Sequence, residues 1–211
     1  MTVTGLERAR TDKRTRLLEL ASGQAGYFTA AQARGLGYSA RSLQYQVAAG
    51  HFERVRRGFY RLVGVPADPH EDIVAAWLGF ARRRAVVSHD TALALYDLAP
   101  SRSHEIHLTV PREQRPRSSQ PANGVKLHTT TVPLRRDEVA KRFGVEITSP
   151  ARTLADVADV GVDPGVVVEA AARALGAGLV TSGELREAVK RRPERVRRLV
   201  ERAIREADPD A

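Results

Sequence analysis

The sequence predicts an α+β protein: a winged helix-turn-helix over residues 1–64, then a mixed α/β domain over residues 65–211 with a small sheet and a helical C-terminal part. Three observations predict it. Between residues 28 and 62 a short helical run, a glycine turn, a second helical run and two β-prone runs joined by a basic tip follow one another. Alternation of apolar and polar residues is confined to the middle of the chain, around Ile106, Leu108 and Val110, then Val125 and Leu127, then Val145 and Ile147. Helical patterns return from Ser149 onward. A length of 211 residues allows one large domain or two small ones and favours two, and 42% hydrophobic residues are enough for a real core.

In order, residues 1–10 read as a loosely attached lead and residues 11–21 as a first helix, with Leu17, Leu18 and Ala21 on one stripe. Arg10, Lys13, Arg14 and Arg16 crowd its first half. Positive charge there opposes the helix dipole, so these residues serve the surface or phosphates rather than the helix. Thr29 caps a second helix with Gln32 three residues on, a capping box, and Phe28 is placed as its staple. Leu36, between Gly35 and Gly37, reads as the buried residue of the turn. Ser39 caps a third helix. On it Ala40, Leu43 and Val47 face inward, Arg41, Tyr45 and Ala48 face out, and Ser42, Gln44 and Gln46 lie on the flanks. Phe52-Glu53-Arg54-Val55 and Phe59-Tyr60-Arg61-Leu62 form a hairpin through Arg56-Arg57-Gly58, where the glycine supplies a positive φ.

Beyond a linker at residues 64–68, Asp68, Pro69 and Glu71 mark a helix start. Ile73, Trp77, Phe80 and Ala81 form its predicted buried stripe, and its tryptophan, the only one in the chain, is expected at the centre of the second domain. Arg82-Arg83-Arg84 ends it, which suits the negative end of the helix dipole. Ser88 caps a helix to about residue 98. Residues 106–110 predict a half-buried strand stopped by Pro111, and residues 111–124 an exposed loop. Further strands follow at Val125 and Leu127 and at Val145 and Ile147. Helices then start at Ser149-Pro150 (Leu154, Val157 and Ala158 buried), at Asp163-Pro164, at Ser182 and at Pro193, the last carrying Val196, Leu199, Val200 and Ala203 inward.

Charge gives the first functional clue. The net charge is +9, and residues 1–62 carry eleven Lys/Arg against four Asp/Glu, while residues 151–211 balance eleven against eleven. A surplus confined to one segment is what phosphate binding requires, and it makes affinity sensitive to salt. The polar outer face of the third helix suits the major groove of double-stranded DNA, with Ser39, Arg41, Ser42, Gln44, Tyr45 and Gln46 toward base edges. Arg54, Arg56, Arg57 and Arg61 are then expected on phosphates. The alternative for that helix is an ordinary amphipathic surface helix.

No cysteine is present, which excludes disulfides, thiolate metal sites and a cysteine nucleophile, and fits a reducing cytoplasm. No apolar run approaches the roughly 18–20 residues of a membrane helix, and no signal peptide is visible. Catalytic constellations are missing. His104 and His107 fall on opposite faces at strand spacing, with His128 on a neighbouring strand, and no carboxylate signature accompanies them. Ser88-His89-Asp90 holds triad residue types, but adjacency in sequence prevents triad geometry. Glu187 and Lys190 read as an exposed helical ion pair. The expectation is a non-enzyme without cofactor or metal. A nucleic-acid-processing enzyme is the alternative.

With these residues in view, the chain resembles the AbiEi family, antitoxins of type IV toxin–antitoxin systems. The resemblance is carried by Phe28-Thr29-Ala30-Ala31-Gln32-Ala33 through Arg56-Arg57-Gly58-Phe59-Tyr60-Arg61, by Val87-Ser88-His89-Asp90-Thr91-Ala92-Leu93, and by Thr148-Ser149-Pro150-Ala151-Arg152-Thr153-Leu154-Ala155-Asp156. It implies a DNA-binding repressor that autoregulates its own operon by binding promoter repeats. It also implies a nucleotidyltransferase-type toxin, opposed without a stable complex, and a second domain that supports antitoxicity and cooperative DNA binding. The last motif also occurs in chains that continue into a restriction-like nuclease core, the source of the enzyme alternative.

Overall fold

The computed structural model describes residues 3–116 and 124–207, with side chains from residue 12 onward. The protein is α+β, with helices around two small sheets. Residues 1–82 with residues 143–145 make one compact unit, and residues 83–142 with residues 146–211 make the other.

The first unit contains α1 (Val3–Ser22), β1 (Tyr27–Thr29), α2 (Ala30–Gly35), α3 (Ala40–Ala48), β2 (Phe52–Arg56), β3 (Phe59–Leu62) and α4 (Glu71–Phe80). Its antiparallel sheet runs β1-β3-β2. Phe28 is fully buried, with its ring 5.1 Å from Phe52 edge-on and 5.6 Å from Tyr60 in a stack. Leu17, Ala21 and Leu43 close this core from the helices. An aromatic ring buried in this way stabilises the fold by about 2–3 kcal/mol through area alone. Helix α2 has only six residues, too few to stand alone. Its capping box holds it: the Gln32 N–H donates to Thr29 Oγ1 at 3.2 Å and the Thr29 N–H to Gln32 Oε1 at 2.8 Å. Ser39 Oγ accepts the Ser42 N–H at 3.0 Å at the start of α3.

Several expectations need correction here. Helix α1 takes in residues 3–10, predicted as a loose lead, because Glu7, Arg8, Ala9 and Arg10 are ordinary helix formers that extend a nucleated helix without an apolar stripe. Residues 1–2 lie outside the described residues. Leu36 is only half-buried, and Tyr38, one residue beyond the turn, is the one sealed in at 4% exposure. Helix α4 starts at Glu71, because Asp68 spends its carboxylate on the His70 N–H at 2.7 Å in a local turn. Val74 and Leu78 form its buried stripe, and Ile73, Trp77 and Phe80 are half-buried. The helix belongs to the first unit, so the unit boundary falls after Arg82 rather than at residue 64.

The second unit contains β4 (Val86–Val87), α5 (His89–Leu95), β5 (Ile106–Pro111), β6 (Val125–Thr130), β7 (Val139–Arg142), β8 (Val145–Thr148), α6 (Pro150–Asp159), α7 (Pro164–Gly176), α8 (Ser182–Val189) and α9 (Glu194–Ala207). The sheet order is β6-β5-β4-β8-β7. β5 pairs antiparallel with β4 and parallel with β6, and β4 pairs parallel with β8. The predicted half-buried strand is buried on both faces: His107 and Thr109 are as enclosed as Leu108 and Val110. A strand lying inside a sheet covered on both sides carries no exposed face. Strands β4 and β7 were not foreseen as strands, since two or four residues are too few to show a period. Residues 117–123 of the predicted loop lie outside the described residues. The four C-terminal helices follow the predicted starts, with Ser149 and Asp163 side chains capping α6 and α7 and Thr181, not Ser182, capping α8. On α9 Ile204 is buried where Leu199 was expected, and Leu199 is half-buried. No helix among the described residues is long and apolar enough to cross a membrane.

Candidate nucleic-acid interface

The exposed side of α3 is set by its buried side. Leu43, 2% exposed, locks the helix to the core, and the 100° step per residue then turns Arg41 and Tyr45 outward. Tyr45 is 65% exposed, which is high for so large a ring and leaves its hydroxyl and face open to a partner. Ser42 and Gln46 lie half-buried on one flank and Gln44 is exposed on the other. Gln46 Oε1 is 2.9 Å from His51 Nδ1, a bond that orients the amide. Ser39 sits at the helix start with its oxygen engaged in the cap.

Two depressions border this face. One, of about 1040 Å³, runs between α3 and α1 and is lined by Arg41, Ser42, Tyr45 and Gln46 on one side and by Lys13 and Arg14 on the other. Lys13 Nζ lies 4.8 Å from the centre of the Tyr38 ring. The other, of about 310 Å³, lies between α3 and the hairpin and gathers Gln44, Arg54 and Arg34. Lys13 and Arg14 were visible in the sequence as a misplaced basic cluster, but nothing there tied them to α3. Arg34 carried no signal beyond its charge.

The hairpin arginines part company. Arg54 is paired with Tyr60, and Arg56 with Phe59 after a bulge at Val55. Tyr60 and Phe59 are neighbours on one strand and point to opposite faces, so their partners do too. Arg54 shares the face of α3. Arg56 lies on the other face, 5.1 Å from the Phe59 ring and directly over Gly79 of α4. Arg57 stands at the tip beside Gly58, whose φ is +74°, and makes no hydrogen bond or ion pair among the described residues. Arg61 is turned away as well. Its guanidinium reaches Glu71 Oε2 at 3.4 Å and the Val65 carbonyl at 3.3 Å, and lies 5.6 Å from the Tyr27 ring.

Of the ten predicted contact residues, then, Arg41, Ser42, Gln44, Tyr45, Gln46, Arg54 and Arg57 are presented around α3 and the hairpin tip, with Ser39 at the helix start, whereas Arg56 and Arg61 are drawn toward α4. Elsewhere, among the described residues, no three His, Cys, Asp or Glu side chains converge as ligands for a metal. Lys190 Nζ meets Glu187 Oε2 at 3.2 Å on the exposed side of α8, an ordinary helical ion pair.

Residues 16–63, which hold this whole face apart from Lys13 and Arg14, match the model of the family described as "Transcriptional regulator, AbiEi antitoxin". The chain shares its fold with the RV2827C protein from Mycobacterium tuberculosis, known from a crystal structure, at a TM-score of 0.56 and 12% sequence identity, over 92% of this chain and 78% of that one. No curated protein matches it.

Proposed function

We propose that the first unit is a winged helix-turn-helix that reads double-stranded DNA, with α3 in the major groove and the β2–β3 hairpin as the wing. The observation that carries this reading is the set of cations left without partners around one helix. Arg41, Arg54 and Arg57 make no ion pair among the described residues, and Lys13, Arg14 and Arg34 border the same face. Unpaired arginines gathered this way repel one another and gain from a polyanion. Arg41 and Gln44 offer the fork and amide that suit guanine and adenine edges, and Arg57 at the tip suits the sugar–phosphate backbone.

The wider reading follows from the family that residues 16–63 match. The protein acts in the cytoplasm as a repressor of its own operon and as the antitoxin of a type IV toxin–antitoxin pair. Promoter repeats are its sites, and a nucleotidyltransferase-type toxin is opposed without a stable complex. It is not an enzyme; Glu187 and Lys190, its most nuclease-like spacing, are bonded to each other on a solvated helix face.

Gel shifts of the full chain on DNA from upstream of its gene, at two salt concentrations, test the DNA reading. Binding to the repeats that weakens with salt, and is reduced in the Arg54→Ala/Arg57→Ala variant, is the expected result. Unchanged affinity of that variant removes the wing from the interface. Cleavage of the DNA that is abolished by a chelator overturns the non-enzyme assignment in favour of a nuclease relative.

A further inference from the structure

Two stretches that the DNA reading does not use, residues 87–93 and 148–156, meet at one cavity of about 610 Å³ in the second unit. That size is typical of small-molecule sites. Its wall is a chain of alternating charges. Arg152 reaches Glu138 Oε1 at 3.1 Å and Asp156 Oδ2 at 2.9 Å, Asp156 also holds Arg192, and Arg192 reaches Asp159 Oδ2 at 2.7 Å. These charges satisfy one another and stiffen the wall.

The floor is different. The His89 and His128 rings stack at 3.5 Å, 12° from parallel. His89 is nearly sealed and has a φ of +52°, a conformation that costs a side-chain-bearing residue energy and persists where the surroundings impose it. Its Nδ1 is 2.9 Å from Ser88 Oγ, which accepts the Thr109 hydroxyl at 2.8 Å. His128 Nε2 is buried without any partner, a group that awaits a hydrogen bond. Burial pushes His89 down to about 2 and His128 to about 4, so both rings are neutral near pH 7.

Among the described residues that line the cavity, the charges without a partner are exposed ones. Arg135 is paired with Asp137 and Glu187 with Lys190. Arg112, in the turn after β5, and Arg191, between α8 and α9, line the same cavity, and their side chains make no hydrogen bond or ion pair among the described residues. Arg112 and Arg191 bring two unpaired guanidinium forks to this cavity from different elements, a group that suits the several oxygens of a phosphoryl group, and Thr129 and Thr131 in the same lining offer hydroxyl donors.

We infer that this cavity binds a small phosphomonoester, its phosphoryl group between Arg112 and Arg191 and its polar body over the His89–His128 floor. The site is separate from the DNA face and does not depend on that assignment. Inorganic phosphate, a nucleoside monophosphate and a sugar phosphate distinguish the possible sources. Each is titrated into the full chain at constant ionic strength, following thermal stability and binding heat. At least one gives a saturable rise in melting temperature, and the Arg112→Ala/Arg191→Ala variant, altered only at exposed positions, binds it about tenfold more weakly or worse. The Arg54→Ala/Arg57→Ala variant binds it as the parent does. In proton spectra the ligand moves the His128 ring signals. The inference is overturned if none of the three probes gives a saturable response, if the Arg112→Ala/Arg191→Ala variant responds like the parent, or if the response is lost in the Arg54→Ala/Arg57→Ala variant, which places the phosphate on the DNA face.

Discussion

Arg54 and Arg56 are two residues apart on one strand, yet the bulge at Val55 sends them to opposite faces of the hairpin. Under the proposed function this has a measurable consequence. Arg56→Ala leaves DNA affinity nearly unchanged, while Arg54→Ala lowers it. Arg41 and Arg57 differ in kind. Arg41→Ala narrows the gap between specific and random DNA by about 1–3 kcal/mol, and Arg57→Ala weakens all sequences alike; competition gel shifts with operator and random duplex separate the two. In the second unit Asp156 joins two arginines. Its carboxylate, 5% exposed, holds two guanidiniums, and Asp156→Ala leaves both half-buried without it. Destabilisation of roughly 3 kcal/mol is expected, read as a fall in the denaturation midpoint. The motif containing Asp156 was legible in the sequence, but its partner Arg192, thirty-six residues away, was not. No local pattern records which arginine of the basic turn between α8 and α9 reaches inward.

Elements show the same division. The caps expected at Thr29 and Ser39 and the helix starts expected at Ser149 and Asp163 are found, because a cap is an interaction within three residues. Ser88, however, makes no side-chain cap bond, its hydroxyl being engaged by His89 and Thr109, and its helix ends at Leu95 rather than near residue 98. Strand β5 was read as half-buried, because its polar residues alternate. In the sheet His107 and Thr109 are covered like their apolar neighbours. This burial makes the second unit sensitive to acid. Unfolded, the histidines of α5, β5 and β6 take up protons near pH 6.5. Folded, His89, His107 and His128 are all held below that value, mainly by burial. Their contribution is therefore complete above about pH 6.5 and is lost as pH falls toward about 4, where His128 itself titrates. Each ring held this low costs about 2 kcal/mol between pH 7 and pH 5, so His89 and His128 together predict a loss of roughly 3–4 kcal/mol in denaturant melts. His128→Asn flattens that dependence; an unchanged slope in this variant refutes the assignment to the buried rings.

For the whole molecule, the charge is divided before the chain folds. Residues 1–62 carry a surplus of seven positive charges, and residues 151–211 carry none. About five phosphate contacts by the first unit give a slope near −4 to −5 for log affinity against log salt, measurable by fluorescence anisotropy. A slope near zero sinks the DNA reading. Composition, charge partition, the capped starts of α2, α3, α6 and α7 and the helix–turn–helix–hairpin order were legible in the sequence alone, since each depends on residues close together in the chain. Tertiary structure decided the rest. It placed α4 in the first unit, turned Arg56 and Arg61 away from the face that α3 presents, and brought Lys13 and Arg14 beside α3. It also joined two distant motifs around one polar cavity. Those outcomes depend on which faces are buried, and burial is a property of elements packed together rather than of any stretch of sequence.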